Sequence, residues 1–501
     1  MRTVRDAVDR HSVAQPDAPF LFAPEPGTTL SYAGLRVTAQ ALCAELAALG
    51  VRPGEVVSYL LPNGVAAASV FLGAMYGGFV VSPISMLAQD ALVEYNIVHS
   101  ETRVVYAAPE FVERVEAIVA RARSRAVVRS TSPDGLALPW ISETPPAGTP
   151  DDRSPALLMY TSGTTGRPKG ALLSHANLIH AGRSVMQAHA LTPRDRVLSS
   201  LPLYHVNGQC IGTVSPLVSG GSIVMPHRFS VSQWWSLVNA YRPTWLNVVP
   251  TIIAYLLNDT ERAPHAAACG GVRFARSASA PLPPEHHRAF EARFGISVLE
   301  AMGLTECASV AFANPLAPRE RRLGSPGKPL GLEARVVAPD GTALPDFDAG
   351  EIELRGDNVM LRYHRDPEAT SRTLRDGGWL ATGDLGYRDS DGFYFITGRL
   401  KELIIKGGEN IAPREIDEAL LKHPAVLEAA AVGVPDRDYG QEILACVVLK
   451  DDCACTEEEL RAHCLSELGR YKTPKTFRFV AELPKGPSGK VQRLKLAEDT
   501  V

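Results

Sequence analysis

The segment Tyr160–Gly170 reads YTSGTTGRPKG and contains three Gly, three Thr and one Ser. It follows Ala156–Tyr160, a short apolar run that predicts a strand. It precedes His175–His189, whose apolar spacing predicts a helix with Ser174 as its N-cap. A loop this rich in hydroxyl groups and N–H donors can wrap a phosphate chain, and Lys169 adds positive charge to it.

This loop is different from a Walker A loop. That pattern requires Gly, four residues, and then Gly-Lys-Ser/Thr, whereas here Pro168 precedes Lys169 and Gly170 follows it. Gly and Ser are also common in ordinary surface turns. The loop alone therefore leaves two interpretations open, a phosphate-binding loop and a flexible surface turn.

The chain after this loop alternates short apolar runs with segments of helical spacing. Alternation of this kind predicts an α/β fold with a largely parallel sheet. Strands are expected at Arg196–Leu201, Ser222–Met225, Thr244–Val249 and Val272–Arg276, and helices at Ser230–Ala240 and Pro283–Phe294.

The pattern changes near residue 330. Short apolar runs at Glu333–Val337, Gly350–Arg355 and Gly392–Thr397 are separated by Asp-Gly turns, which predicts a small β subdomain over about 330–399. A compact α+β pattern follows. We therefore expect an N-terminal domain of residues 1–399 and a C-terminal domain of residues 400–501.

The bulk composition excludes several classes of protein. A chain of 501 residues is too long for a single core, so at least two domains are expected. The net charge of -4 argues against a nucleic-acid partner or an anionic membrane surface. No apolar run is long enough to span a bilayer. We expect no nucleic-acid partner, no membrane partner and a cytoplasmic location.

Tyr160–Gly170 resembles the phosphate-binding loop of the adenylate-forming superfamily, which includes acyl-CoA synthetases, peptide-synthetase adenylation domains and beetle luciferases. Further segments match the family's signatures in the family's order, so the resemblance covers essentially the whole chain. It implies a large N-terminal domain of αβα-type subdomains plus a β subdomain, and a small mobile α+β C-terminal domain. The matching segments are Leu201–His205 (LPLYH), Glu300–Glu306 (EAMGLTE), Thr382–Asp384 (TGD), Gly398–Glu415 (GRLKELIIKGGENIAPRE) and Pro484–Lys490 (PKGPSGK).

The resemblance implies an ATP-dependent acid–CoA ligase. Such an enzyme joins a carboxylate to the α-phosphate of ATP, releases pyrophosphate, and passes the acyl group to the CoA thiol. The implied ligands are ATP, Mg²⁺, a small acid and, as acceptor, CoA. Because two anions must approach each other, the site needs positive charge and N–H donors.

The resemblance also implies roles for single residues around the nucleotide. Glu306 would ligate Mg²⁺, Thr305 would bond the α-phosphate, and Asp384 would accept hydrogen bonds from the ribose hydroxyls. Arg399 would support the ribose and phosphate side. The β- and γ-phosphates would be held by Thr161, Ser162, Gly163, Thr164 and Thr165 with Lys169, and the adenine would lie near Ser277, Ala278 and Met302.

The C-terminal segments carry the implied catalytic lysine and the hinge. Lys490 would bridge the substrate carboxylate and the α-phosphate, with His205 as a further catalytic candidate. Lys401 occupies the hinge position. Lys406, Gly407 and Gly408 would line the thiol tunnel, where paired glycines allow close backbone approach.

The chain departs from the family pattern at two positions. Met302 stands where the family often has a Tyr stacked on adenine, and Ala278 replaces a Gly of the adenine loop. The acyl pocket is expected at Asn207, Gly208, Gln209 and Val249, and its two amides favour a small or functionalised acid. His227 and Arg228 are candidates for contact with a second carboxylate.

Alternative functions stay open at this level. The same motifs occur in adenylating enzymes that act without CoA, which load a carrier protein or activate nitrite or another oxyanion. A luciferase-like oxygenase carries no separate mark in this sequence. A non-catalytic scaffold is disfavoured, because Lys490, Asp384 and Glu306 are all present.

Overall fold

The computed structural model describes residues 1–136, 148–161, 168–262, 269, 271–450, 453–485 and 491–498. The chain divides into two compact units. The first contains Met1–Glu333 and Leu354–Leu380, and the second contains Ala334–Glu353 and Ala381–Val501. Strands and helices occur in both units, so the predicted α/β class is confirmed. The predicted domain boundary at about Leu400 stays a prediction.

The larger sheet of the first unit has nine strands. Its centre is parallel, and its two ends are closed by antiparallel strands. In spatial order the strands are Lys328–Pro329, Phe312–Ala313, Val298–Met302, Phe274–Ser277, Trp245–Val248, Arg196–Ser199, Ser222–Val224, Pro19–Ala23 and Thr28–Ser31.

A second sheet of the first unit has seven strands. It contains the strands on both sides of the phosphate-loop segment, and these two strands are antiparallel neighbours. In spatial order the strands are Arg362–Tyr363, Lys169–Ser174, Pro155–Thr161, Val80–Pro83, Val56–Leu60, Val104–Ala107 and Val127–Ser130.

Helices follow most of the parallel strands of the first unit. Within the described ranges, no helix is long and apolar enough to cross a membrane. The α-helices are Val4–Ala14, Tyr32–Ala48, Val65–Tyr76, Asp90–Ser100, Val112–Arg121, His175–Ala188, Ser215–Ser219, Val231–Tyr241, Pro250–Asn258, Pro284–Phe294 and Pro367–Thr373, with a π-helix at Asn207–Val214 and 3₁₀ turns at Pro109–Phe111, Thr305–Cys307 and Asp376–Gly378.

The helix His175–Ala188 begins as the sequence predicts. Ser174 is its N-cap, and a reciprocal pair of hydrogen bonds with Asn177 satisfies the first turn. One local expectation needs revision. The strand Lys169–Ser174 lies between the phosphate-loop segment and this helix, so the segment connects the two strands of a hairpin and does not open a helix.

The second unit has two sheets. One contains most of the strands between residues 333 and 399, and the other forms the centre of the α+β segment that follows. The strands are Glu333–Val337, Gly350–Arg355, Trp379–Arg388 and Tyr394–Arg399 in the first sheet, and Glu409–Ile411, Ile404–Lys406, Gly440–Leu449, Val426–Asp436 and Thr476–Phe479 in the second. The short strand Leu374–Arg375 belongs to the first unit.

The helices of the second unit pack on its last sheet. Apolar side chains of Pro413–Leu421 and Glu457–Lys472 meet strand residues such as Ile443 and Val447 in one buried cluster. The helices are Pro413–Leu421, Glu457–Lys472 and Arg493–Glu498, with a 3₁₀ turn at Leu400–Glu402.

A buried ion pair anchors the end of the chain in this unit. The Arg493 guanidinium donates to the carboxylate of Asp417 and to the carbonyl of Ala431, and it lies 3.4 Å from Glu402. Lys485 and Val491 form an antiparallel bridge. These contacts hold Lys485, Val491 and Arg493 within the second unit.

Replacement of Arg493 by Met is expected to destabilise the second unit by about 3–5 kcal/mol, because it leaves the Asp417 carboxylate buried without its partner. The double variant Arg493→Met/Asp417→Asn is expected to recover much of this loss, since Asn can still accept from the Ala431 N–H. Hydrogen exchange of Val426–Asp436 amides in urea measures both. Equal losses in the single and double variants would contradict the role of the ion pair.

Candidate active site

Four parallel strands of the nine-stranded sheet end at the same edge. Residues that follow the carboxyl ends of adjacent parallel strands lie close together, and this edge is where α/β sheets bind ligands. The four strands are Arg196–Ser199, Trp245–Val248, Phe274–Ser277 and Val298–Met302, and the predicted site residues that follow or end them are His205, Asn207, Val249, Ala278, Met302 and Thr305.

A hydrogen-bonded row of polar side chains lies at this edge. The buried amide of Asn207 donates to Ser279 Oγ at 3.1 Å and accepts from Asn247 Nδ2 at 3.2 Å. Asn247 Nδ2 is also 3.3 Å from Ser199 Oγ. Asn207, predicted from its position to line the acyl pocket, is therefore part of a polar surface that joins three strands.

The neighbours of Asn207 have mainly structural contacts. A Cβ atom at Gly208 would stand 2.4 Å from the Pro202 carbonyl oxygen, so only glycine fits there. Gln209 is fully buried and donates to the Leu203 carbonyl at 2.5 Å. Both residues hold the LPLYH segment against the π-helix. His205 is half-buried in that segment, with its ring 5.1 Å from that of Tyr204.

The predicted adenine-binding residues lie on neighbouring strand ends. Ser277 is fully buried, and Ala278 packs against Ala301 and Ala313 in a small apolar cluster. Met302 is partly exposed at the end of its strand. The structure thus brings all three predicted residues to one region of the first unit.

Glu306 is held by a tyrosine that sequence reasoning missed. The Tyr363 hydroxyl donates to Glu306 Oε1 at 2.7 Å, and the Lys169 ammonium lies 4.8 Å from the Tyr363 ring centroid. Burial, together with the Glu306 carboxylate, raises the pKa of Tyr363, so the phenol stays protonated and remains a donor. Tyr363 thereby contacts both Glu306, through its hydroxyl, and Lys169, over its ring.

This arrangement fits a magnesium–nucleotide complex. A carboxylate oxygen is the ligand type that Mg²⁺ prefers, and a hydrogen bond from a neighbouring group orients such a ligand. The positive charge of Lys169 suits the phosphates that accompany the ion. Thr305, in the same 3₁₀ turn as Glu306, is partly exposed.

The ends of the phosphate-loop segment are tied together. Thr161 and Lys169 are paired across the hairpin, and Thr161 Oγ1 donates to the Lys169 carbonyl at 3.3 Å. The Tyr95 hydroxyl donates to the Pro168 carbonyl at 3.1 Å. Ser162, Gly163, Thr164 and Thr165 lie outside the described residues.

In the second unit, Asp384 and Arg399 form an ion pair across neighbouring strands. Arg399 Nε lies 2.5 Å from Asp384 Oδ1, and the Asp384 carboxylate is only 3% exposed. The Thr382 hydroxyl accepts from the Asp384 backbone N–H at 3.0 Å. Arg399, predicted to support the ribose and phosphate side, thus lies beside the predicted ribose acceptor Asp384, whose carboxylate has lone pairs left for further donors.

The predicted hinge and tunnel residues also lie in the second unit. Lys401 is exposed in a short 3₁₀ turn. The buried Lys406 ammonium is 2.6 Å from Glu442, so its charge is satisfied within the unit. Gly407 and Gly408 are exposed and adopt φ of 54° and 86°, a backbone region that favours glycine. Lys490 lies outside the described residues.

The second-carboxylate candidates His227 and Arg228 occupy a different place. His227 Nε2 is 3.0 Å from Asp134 Oδ1, and its backbone N–H donates to Glu25. Arg228 is exposed. Neither side chain takes part in the polar row around Asn207.

Comparison with known proteins gives the family. The model of the AMP-binding enzyme family matches residues 8–364, and that of the AMP-binding enzyme C-terminal domain matches residues 415–490. The chain belongs to the AMP-binding enzymes.

Related proteins indicate which type of reaction the chain catalyses. The chain is 56% identical to a sulfoacetate–CoA ligase of Cupriavidus necator, over 96% of this chain and 94% of that one. It is 35% identical to an oxalate–CoA ligase of Arabidopsis thaliana, over 90% and 89% of the two chains. Among solved structures, ATP-bound MatB from Rhodopseudomonas palustris has a TM-score of 0.90 at 32% identity, covering 99% and 98%.

This AMP-binding enzyme is therefore an ATP-dependent, AMP-forming acid–CoA ligase. The predictions of the family, of the enzyme class and of ATP, Mg²⁺ and CoA as ligands are confirmed. Among the functions that the motifs left open, the relatives support acid–CoA ligation.

Several residues of this site could not be found from the sequence. Tyr363 lies in no motif and meets Glu306 only through the sheet pairing of Arg362–Tyr363 with Lys169–Ser174. Ser279 lies inside the adenine-loop motif. A polar side chain at a position of small residues is the feature of the sequence that could have indicated a role for it in the site. Asn247 was assigned only to a buried strand.

We expect Tyr363→Phe to raise the Mg²⁺ concentration at half-maximal ATP–pyrophosphate exchange about tenfold, because Glu306 loses the donor that orients it. Tyr106→Phe is the matched control, since that hydroxyl also donates to a glutamate, Glu45, at 2.9 Å. An unchanged Mg²⁺ dependence in Tyr363→Phe would show that the hydroxyl does not position Glu306.

Proposed function

We propose that this ligase activates a short acid that carries a second anionic group, with sulfoacetate as the test substrate. The observation that carries this proposal is the 56% identity to the sulfoacetate–CoA ligase along almost the full length of both chains. Sulfoacetate has a sulfonate next to its carboxylate, and the oxalate of a more distant relative has a second carboxylate. Both are small and doubly charged.

The polar row at the strand ends supports this substrate class. The linked side chains of Asn207, Asn247 and Ser279 place amide and hydroxyl groups at this edge of the sheet. Burying unpaired polar groups against an alkyl chain would cost free energy. A compact acid with several oxygen atoms can instead exchange hydrogen bonds with this surface.

The first half-reaction forms the mixed anhydride. A carboxylate oxygen of the acid attacks the α-phosphorus of ATP, the bond to the bridging oxygen breaks, and pyrophosphate leaves with the negative charge. In this proposal Lys169 and the segment from Thr161 to Thr165 hold the β- and γ-phosphates, and Thr305 bonds the α-phosphate. When bound at Glu306, Mg²⁺ supplies electrostatic stabilisation of the phosphate charge.

The remaining proposed roles concern the nucleoside and the reacting carboxylate. Asp384, oriented by Arg399, accepts hydrogen bonds from the ribose hydroxyls, while Ser277, Ala278 and Met302 contact the adenine. His205, Gly208, Gln209 and Val249 shape the acyl side of the site, with Gly208 and Gln209 acting through the backbone they support. Lys490 neutralises the charge that develops between the carboxylate and the α-phosphate.

The second half-reaction transfers the acyl group. The CoA thiol attacks the carbonyl carbon, the bond to the phosphate oxygen breaks, and AMP leaves. We propose that residues 400–501 form a mobile domain that turns about Lys401 between the two steps. Lys490 then serves the first step, and the turn at Lys406, Gly407 and Gly408 lines the thiol path in the second.

Lys490→Ala is expected to reduce ATP–pyrophosphate exchange by about 10²–10³-fold, since a donor to the developing charge is lost. Thioester formation from supplied acyl-adenylate and CoA is expected to stay within about threefold of wild type. Lys495→Ala, at an exposed lysine of the helix Arg493–Glu498, is the control. Equal loss in both half-reactions would contradict the division of labour.

A substrate panel tests the proposed acid. We expect the wild-type enzyme to consume CoA with sulfoacetate at a kcat/KM at least about 10²-fold above that for propionate, because an alkyl tail cannot exchange hydrogen bonds with the polar groups at the strand ends. Oxalate, malonate and benzoate complete the panel. A preference for propionate or benzoate would overturn the proposed substrate class, and exchange without CoA consumption would overturn the CoA-linked second step.

A further inference from the structure

Arg276 has an unusual position for a charged side chain. It lies in the middle of the strand Phe274–Ser277, and 0% of its surface is exposed. Charged residues are rarely buried to this extent unless they are paired. Burial lowers the pKa of Arg276 to about 10, which still leaves the guanidinium positively charged at neutral pH.

The guanidinium finds no partner among the described residues. Its Nε, Nη1 and Nη2 atoms are all buried without a hydrogen bond in that part of the chain. Two other arginines of the first unit have carboxylate partners: Arg273 lies 2.9 Å from Asp195, and Arg321 pairs with Glu291. Arg276 thus holds five N–H donors and one charge that the described protein does not neutralise.

Its place in the sheet brings Arg276 next to the polar row. Arg276 is paired in register with Asn247, and Asn247 is paired with Ser199. Residues in register on adjacent parallel strands have side chains on the same face. That face carries Asn207, which is bonded to Asn247, so Arg276 continues the row beneath the predicted acyl pocket.

The strand positions on either side of Arg276 contribute no carboxylate, because its partners in register are Asn247 and Leu299. Among the described residues, Asn247 Oδ1 is also buried without a partner. The pKa of the fully buried His189 is lowered to about 3, first by burial and then by the charge of Arg276, so His189 is neutral. The environment is therefore polar, and Arg276 supplies its positive charge.

A purely structural role for Arg276 is physically costly. Replacing an unpaired buried charge by an apolar side chain of similar volume is often neutral or stabilising. A guanidinium also forms two parallel hydrogen bonds to a carboxylate or a similar oxyanion, which a lysine or an amide cannot do. A buried guanidinium of this kind is stabilised when an anion pairs with it.

We propose that Arg276 pairs with the second anionic group of the acid substrate and thereby selects doubly charged acids. This inference rests on the proposed substrate class and adds the residue that recognises it. The sulfonate or distal carboxylate accepts two hydrogen bonds from the guanidinium, and the reacting carboxylate points toward the nucleotide. An acid with a neutral tail leaves the guanidinium unpaired.

The test compares wild type with Arg276→Gln on matched acids. Sulfoacetate and malonate carry the second anion, and propionate and butyrate do not. Arg276→Gln is expected to lower kcat/KM for sulfoacetate by about 10²–10³-fold and to change that for propionate by less than about threefold. Because the lost interaction acts in binding, most of the change should fall in KM.

Two further variants make the comparison specific. Arg273→Gln removes a paired arginine that directly precedes the same strand. It should leave the ratio of kcat/KM for sulfoacetate to kcat/KM for propionate unchanged. Arg276→Met fills a similar volume without charge, and it replaces Arg276→Gln if that variant folds poorly. Protection against thermal unfolding by sulfoacetate, present in wild type, should be lost in Arg276→Met.

The outcomes separate this inference from the proposed function. If wild type prefers sulfoacetate and both Arg276 variants keep that preference, the role of Arg276 is wrong while the substrate class stands. If wild type prefers acids with neutral tails, the substrate class fails and the inference falls with it. A loss confined to doubly charged acids supports both.

Discussion

Backbone hydrogen bonds between parallel strands set Ser199, Asn247 and Arg276 side by side on one face of the nine-stranded sheet. This register is the constraint from which the acyl side of the site follows. Asn207 and Ser279, which follow the ends of two of these strands, lie in the same row, and the Asn207 amide donates to Ser279 Oγ. A one-residue slip in any of these strands would turn the polar groups to the opposite face.

The two units differ in whether their charged site residues have partners of opposite charge. In the second unit the charged groups that we single out are paired: Arg399 with Asp384, Lys406 with Glu442, and Arg493 with Asp417. These pairs are complete without a ligand and fix backbone positions. In the first unit, Arg276 has no such partner among the described residues, and Glu306 is held by a neutral tyrosine. In our proposal, Arg276 and Glu306 therefore meet the charged ligand groups, while Asp384 uses its remaining lone pairs for the neutral ribose hydroxyls.

The sequence predicted the fold class, the enzyme family and most strands and helices, because these depend on local patterns and on motifs in fixed order. Ser174 as a helix cap and Glu333–Val337 as a strand are examples. It could not predict Tyr363 beside Glu306 or Arg276 beside Asn247, since both pairs are far apart in the chain and meet only through sheet pairing. The extra strand Lys169–Ser174 was missed because it continues directly from the glycine-rich motif.

Gly208 and Gly212 restrict how this enzyme could be redesigned. A methyl group at Gly208 would meet a carbonyl oxygen at 2.4 Å, and one at Gly212 would meet Ser199 Oγ at 2.7 Å. Neither position can therefore take a larger residue without moving the π-helix. Mutant libraries made to accept bulkier acids should keep both glycines fixed and vary Val249, which we assign to the acyl side and which is only partly buried.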